Sequence, residues 1–301
     1  MFTDSISMKV HGSQESAFLF EYSSLEELSS DYRDILKHTF KNGTPDFLQE
    51  KKSNFHGDAP SQVLKDITTG WDEGSKKSQE ILDKIEGKLN IETSAYKTQS
   101  SVVGSLVNVG AYLSGNPMCM RMRRKQMENT NPVNLILDVT VSAGTSQNEI
   151  FNRGVATLAL TRVVSQSRPV NLRVVTGMLI EGYNGVISIP IETAPLDLAR
   201  ASYLLSRPEV FRRILFAKVS KEAEKKGKAY NGFIQWLFND YSWQKDHFIS
   251  NLANYWGYGN DYLGISGTVH SDSSQGSRSS VDKAADWVVK NAKSILALKE
   301  Y

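Results

Sequence analysis

Asp138-Val139-Thr140-Val141-Ser142 sets a carboxylate and two hydroxyls at alternate positions. Oxygen donors of this kind suit a hard cation such as Mg²⁺. They also have a plainer use, because Asp138 and Ser142 can cap a turn and the helix after it. A hydrolase built on Asp138 or Ser142 would need a base. No Gly-x-Ser-x-Gly elbow is present, and His11, His38, His56, His247 and His270 are scattered along the chain. A second chemistry lies in Met118-Cys119-Met120-Arg121-Met122-Arg123-Arg124-Lys125, where methionines alternate with basic residues. Read as a strand, Arg121, Arg123, Arg124 and Lys125 form a phosphate-contacting strip. The competing reading is an edge strand guarded by charge. Third, residues 229–262 are rich in aromatics, from Tyr230 to Tyr262. They make either a stacking surface for single-stranded nucleic acid or the packing face of a helix such as 231–238.

These residues need elements to hold them. Leu135-Ile136-Leu137 is a short apolar run that ends at Asp138. Ile150, Phe151, Val155, Leu158, Ala159, Arg162 and Val163 then recur at helical spacing, and Val170 to Thr176 alternates as a strand does. Strand, helix and strand in about 45 residues predict a βαβ unit in a parallel sheet, with ligands at the carboxyl ends of the strands. Asp138 falls at such an end. Gly185 to Ile191 is a further strand, with Pro190 at an edge or strand end. Leu196 to Leu205 reads as helical, and Pro208 opens a helix carrying Val210, Phe211, Ile214, Leu215 and Val219. A strand near Tyr262–Val269 and a helix from Ser280 to about Leu298 complete this part.

Upstream, residues 1–60 read as an α-rich lead-in with a helix start at Ser23 or Ser24, and 46–66 as polar and loose. A solvated amphipathic helix is expected over roughly 75–89. Residues 98–117, small and glycine-rich, predict an extended segment close to other backbone. The expected division is an α-rich extension over 1–97 and an α/β domain over 98–301.

The 301 residues are 40% hydrophobic with a net charge of +2, an ordinary globular balance that does not itself point to nucleic acid or membrane. Cys119 is the only cysteine, which removes intrachain disulfides and cysteine-based zinc. No apolar run approaches ~18 residues, so no membrane span is expected, and the start lacks a secretory pattern. Walker, dinucleotide-binding and His-Glu-x-x-His patterns are absent.

Leu135 to Ser142 resembles the first strand and loop of von Willebrand A-type domains, which carry Asp-x-Ser-x-Ser at a metal-ion-dependent adhesion site. The resemblance implies metal contacts from Asp138, Thr140 and Ser142, with Thr140 keeping the hydroxyl. The family's later threonine and second aspartate have no clear counterpart here; Thr193 and Asp197 are the candidates, unmatched by motif. More widely, the chain resembles an uncharacterised family of bacteriophage proteins. The resembling segments are Gly70-Trp71-Asp72-Glu73-Gly74, Val109 to Pro117, Asp138 to Gly144, Pro195 to Arg200 and Trp256-Gly257-Tyr258-Gly259. The resulting expectation is a mostly parallel α/β sheet flanked by helices, with a von Willebrand A-like core. Its function would be that of a non-enzymatic interaction module in the host cytoplasm. Such a module would bind a phage or host protein, no membrane, and Mg²⁺ only at a degenerate site. The alternative is an accessory factor for transcription or replication that binds single-stranded nucleic acid.

Overall fold

The computed structural model describes residues 2–10, 13–86, 96–125, 131–140, 146–166, 168–180, 183–228, 235–236, 242–265 and 280–297. The chain opens with strands β1 (Phe2–Val10) and β2 (Ser13–Glu21). Helices α1 (Leu25–Leu36), α2 (Pro60–Thr69) and α3 (Asp72–Glu86) follow. A small unit comes next: β3 (Tyr96–Ser101), β4 (Leu106–Val107), α4 (Val109–Leu113) and β5 (Met120–Lys125). Then come β6 (Val133–Asp138), α5 (Gln147–Ser165), β7 (Val170–Ile180), β8 (Tyr183–Ile191) and α6 (Leu198–Ser206). A π-helical turn over Val210–Leu215 leads into α7 (Phe216–Lys225). The last elements are β9 (Gln235–Trp236), α8 (Ser242–Tyr255), β10 (Tyr262–Ile265) and α9 (Ser280–Ala297).

The expected βαβ unit is present. β6 and β7 run parallel from Val133 opposite Val170 to Asp138 opposite Val175, and α5 connects them. Ser146 starts α5 through a capping box with Glu149. The main sheet has the order β1-β2-β8-β7-β6-β10, and β9 pairs with β7.

That sheet is mixed, which corrects the expectation of a mostly parallel one. β7 and β8 are antiparallel, with Ile180 opposite Tyr183. Two intervening residues cannot hold the crossover that parallel neighbours require. β1 and β2 are also antiparallel, and β2 joins the sheet parallel to β8. The lead-in therefore opens with two strands, Phe2–Val10 and Ser13–Glu21, before its helices, which corrects the α-rich reading of its start. Ala17 and Leu19 are buried on one sheet face and Phe20 on the other. A strand covered on both faces shows no polar alternation. Pro190 lies opposite Arg173, beyond the stretch of β8 that pairs with β2, so it has the strand-end position expected of it.

One sheet face carries the larger core, with side chains from α1, α2, α3, α5, α6, α7 and α9. The other face is covered by Phe248, Ile249, Leu252 and Ala253 of α8, packed on Ile136, Val175 and Val186. The segment expected to be loose is instead held from the π-helical turn. Arg213 donates to the carbonyls of Phe47 (2.8 Å), Lys51 (2.7 Å) and His56 (3.2 Å), and Arg212 donates to Phe55 (3.0 Å).

β3, β5 and β4 form a separate three-stranded sheet with β5 in the middle. The basic strip is a strand: Met120 and Arg121 lie between β3 and β4, whereas from Met122 to Lys125 the described pairing is with β3 alone. The close backbone approach expected of a glycine here falls at Gly104, where a Cβ would stand 2.4 Å from the Arg121 carbonyl oxygen. Residues 266–269 of the expected late strand lie outside the described residues.

Candidate functional site

Asp138 ends β6 and is fully buried. Its Oδ1 accepts the Thr140 amide at 2.9 Å, which fixes the turn. The Thr140 hydroxyl is buried as well. It accepts the Gly177 amide at 3.3 Å and meets Thr176 Oγ1 at 3.3 Å. Ser142 lies outside the described residues. Beneath the loop is Arg153 of α5, fully buried, whose Nη2 donates to the Val139 carbonyl at 3.3 Å. Burial pulls the Arg153 pKa down to about 10, and the charge of Asp138 works against that shift. Arg153 thus remains a cation at neutral pH, and it compensates Asp138 from inside the protein.

Of the motif's described donors, Asp138 Oδ1 and the Thr140 hydroxyl are engaged internally. Asp197 accepts the Ala199 and Arg200 amides at the start of α6, each at 3.1 Å. Thr193 donates to Val170, which lies opposite Val133 at the start of β6, whereas Asp138 ends that strand. Neither completes a ligand set with Asp138. Among the described residues no group of three or more His, Cys, Asp or Glu is placed to hold a metal.

Next to the loop, the first two turns of α5 wall a cleft of about 410 Å³. Trp71 and Phe151 meet edge to face at 5.3 Å on one side of it. The Arg207 guanidinium lies 4.7 Å above the Trp71 ring and is paired with Asp58 and Glu209. Gln147, Asn148 and Asn152 supply amides, and Glu73 and Lys77 supply charge. Ser206 is buried at the cleft, and its Oγ has no hydrogen-bond partner among the described residues. α5 reaches this position because Gly154 is bare: a Cβ there would stand 2.2 Å from Ser206 Oγ. A second cleft, of about 240 Å³, lies between the starts of α1 and α6 at the other end of the sheet, where Arg200 pairs with Glu26.

Neither His38 nor His56 serves Asp138. His38 contacts Glu224 at 2.7 Å. His56 sits among Phe47, Phe55 and Phe216, and burial pushes its pKa down to about 4.

The nucleic-acid residues divide. Arg121 is exposed on β5, and Arg123, Arg124 and Lys125 continue that strand, with side chains outside the described residues. The described aromatics belong to the main sheet. Phe248 is buried, Trp256 Nε1 donates to Glu21 at 2.7 Å, and Tyr258 OH accepts from Arg173 Nε at 3.1 Å. The Arg173 guanidinium covers Trp256 at 4.5 Å. Tyr230, Phe233, Phe238 and Tyr241 lie outside the described residues.

Sequence reasoning did not find Arg153 or the pair of Trp71 and Arg207. The available signal for Arg153 was its place three residues after Ile150, on the apolar stripe of α5.

The fold and site define an α/β protein with a mixed sheet, helices on both faces and a cleft at the carboxyl end of a βαβ unit. The chain belongs to the family described as Domain of unknown function (DUF7192), whose model matches residues 9–252. No curated protein and no solved structure matches the chain.

Proposed function

We propose that this chain is a non-enzymatic protein-interaction module that receives its partner at the cleft between α3 and α5. The observation that carries this reading is the Trp71–Phe151–Arg207 cluster, open to a cleft and bordered by three amides. Buried tryptophan and arginine anchors of this kind dominate the energetics of protein interfaces. The turn from Asp138 to Thr140 serves structure, with the Thr140 amide held by Asp138. The charge of Arg153 acts on Asp138 from inside the protein, so titration with Mg²⁺ or Mn²⁺ is expected to yield no heat of binding. The von Willebrand A-like core is also part of the proposal. The βαβ unit and the loop position favour it, and the N-terminal hairpin departs from it. The resemblance to phage proteins makes a phage or host protein the partner and host cytoplasm the setting.

A photo-reactive amino acid at Asn148 or Asn152 tests the reading in cells that express the chain. A discrete adduct is expected at both positions, lost in Trp71→Ala and absent at Lys65 on α2. Equal labelling at Lys65 and Asn148 would remove the cleft from the argument. The alternative, single-stranded nucleic-acid binding, draws on Arg121, Arg123, Arg124 and Lys125 without the packed aromatics. It requires a salt-sensitive gel shift that weakens in an Arg121/Arg123/Arg124 alanine variant.

A further inference from the structure

The three-stranded sheet has an unusual distribution of side chains. No residue from Ser100 to Met122 is buried. Apart from Tyr255, every exposed large apolar side chain among the described residues lies between Val102 and Met118. Leu113 is 78% exposed, Val103 71% and Val102 66%. Contiguous apolar surface of this kind marks an interaction site.

Charge is segregated along the same element. No aspartate or glutamate occurs between Glu92 and Glu128, a stretch that holds Lys97, Arg121, Arg123, Arg124 and Lys125. These five positive charges exceed the chain's net +2, so the remainder is net acidic. The register orders the two features. β3 and β5 pair from Tyr96 opposite Lys125, where the sheet joins the rest of the chain, to Ser101 opposite Met120 at the far end. The apolar residues and α4 gather at the far end. The basic positions run from Arg121 back toward the near end, with Lys97 opposite Arg124. The element therefore has an apolar tip and a basic collar behind it.

Nucleic acid would satisfy the collar but offers no apolar surface to valines and leucines. A second copy's tip would satisfy the tip but leave the collar facing like charge. An anionic bilayer surface satisfies both, with the acyl boundary for the tip and lipid phosphates for the collar. We propose that the β3–β5 sheet docks this protein on an anionic lipid surface, apolar tip inward and basic strand at the headgroups. This proposal departs from the expectation of no membrane partner. It concerns contact with a surface, and no described helix is long and apolar enough to cross a membrane.

Flotation of the full chain tests it, using phosphatidylcholine vesicles with and without phosphatidylglycerol. The chain is expected to float with the anionic vesicles at low salt and to be released by high salt. Leu113→Asp combined with Val103→Asp, and separately Arg121→Glu, should each lower the bound fraction about tenfold. Leu113, Val103 and Arg121 are exposed, so both variants should keep the wild-type circular dichroism and melting temperature. Absence of flotation with anionic vesicles at low salt overturns the proposal. So does tip-variant flotation equal to wild type, which would leave only charge attraction. Retention of single-stranded DNA that Arg121→Glu abolishes, without vesicle binding, would assign the collar to nucleic acid. Trp71→Ala floats as wild type, so failure here leaves the cleft reading standing.

Discussion

Replacing Arg153 by methionine asks directly what Asp138 is for. Both residues are fully buried, so Arg153→Met strands a carboxylate away from water. Breaking a buried pair by removing one partner costs about 3–5 kcal/mol. Asp138→Asn keeps an oxygen for the Thr140 amide and removes the charge. On its own it leaves the guanidinium uncompensated, at a similar cost. In the double variant both charges are gone, and replacing a buried pair by neutral groups is often close to neutral. The double variant is therefore expected to recover most of the loss, with a coupling energy of about 2 kcal/mol or more. Urea unfolding followed by circular dichroism measures each corner of the cycle, provided the slope is unchanged. Additive losses, or an Arg153→Met variant within about 0.5 kcal/mol of wild type, would refute the internal-pair reading and return Asp138 to the list of open ligands.

Arg213→Met removes the donor to the Phe47, Lys51 and His56 carbonyls. A loss of about 3 kcal/mol or more is expected, with early tryptic cleavage at Lys51 or Lys52 in limited proteolysis. His56 is held neutral with its pKa pushed down to about 4, and the unfolded chain binds that proton near the ordinary value of about 6.5. Stability from this ring is therefore complete above the ordinary value and is lost as pH falls toward the depressed one. Partial burial limits the effect to on the order of 1 kcal/mol, seen as a steeper acid limb in wild type than in His56→Leu. Gly154→Ala drives a methyl into Ser206 and the Leu205 carbonyl. It should cost about 1–3 kcal/mol and lower the melting temperature.

The legible parts of the fold were those where periodicity met a one-sided environment. The stripe of α5 and the run before Asp138 gave the βαβ unit, and the alternation around Arg121 gave a strand. β2 was missed because Ala17-Phe18-Leu19-Phe20 is covered on both sides. The β7–β8 reversal was missed because the second strand extends back past Gly185 to Tyr183. Gly185 is bare because Val219 of α7 occupies the space, with Cγ2 2.6 Å from where a Cβ would stand. At the site, Asp138 was visible and its partner was not. A charged side chain reads as solvated by default, and only the packing of α5 under the loop shows that Arg153 is enclosed. Arg212 and Arg213 escaped notice for the same reason.

The pairing of β2 with β8 has a consequence for biosynthesis. β1 and β2 can zip together as soon as they leave the ribosome, because only two residues separate them. The other edge of β2 meets Gly185 to Ser188, made roughly 165 residues later, which at about 5–20 residues per second is a wait of some ten to thirty seconds. During that interval Phe18, Leu19 and Phe20 present an open, greasy edge to solvent. Nascent chains stalled before residue 185 should therefore be strong clients of ribosome-associated chaperones, and those stalled well beyond Ile191 weak ones.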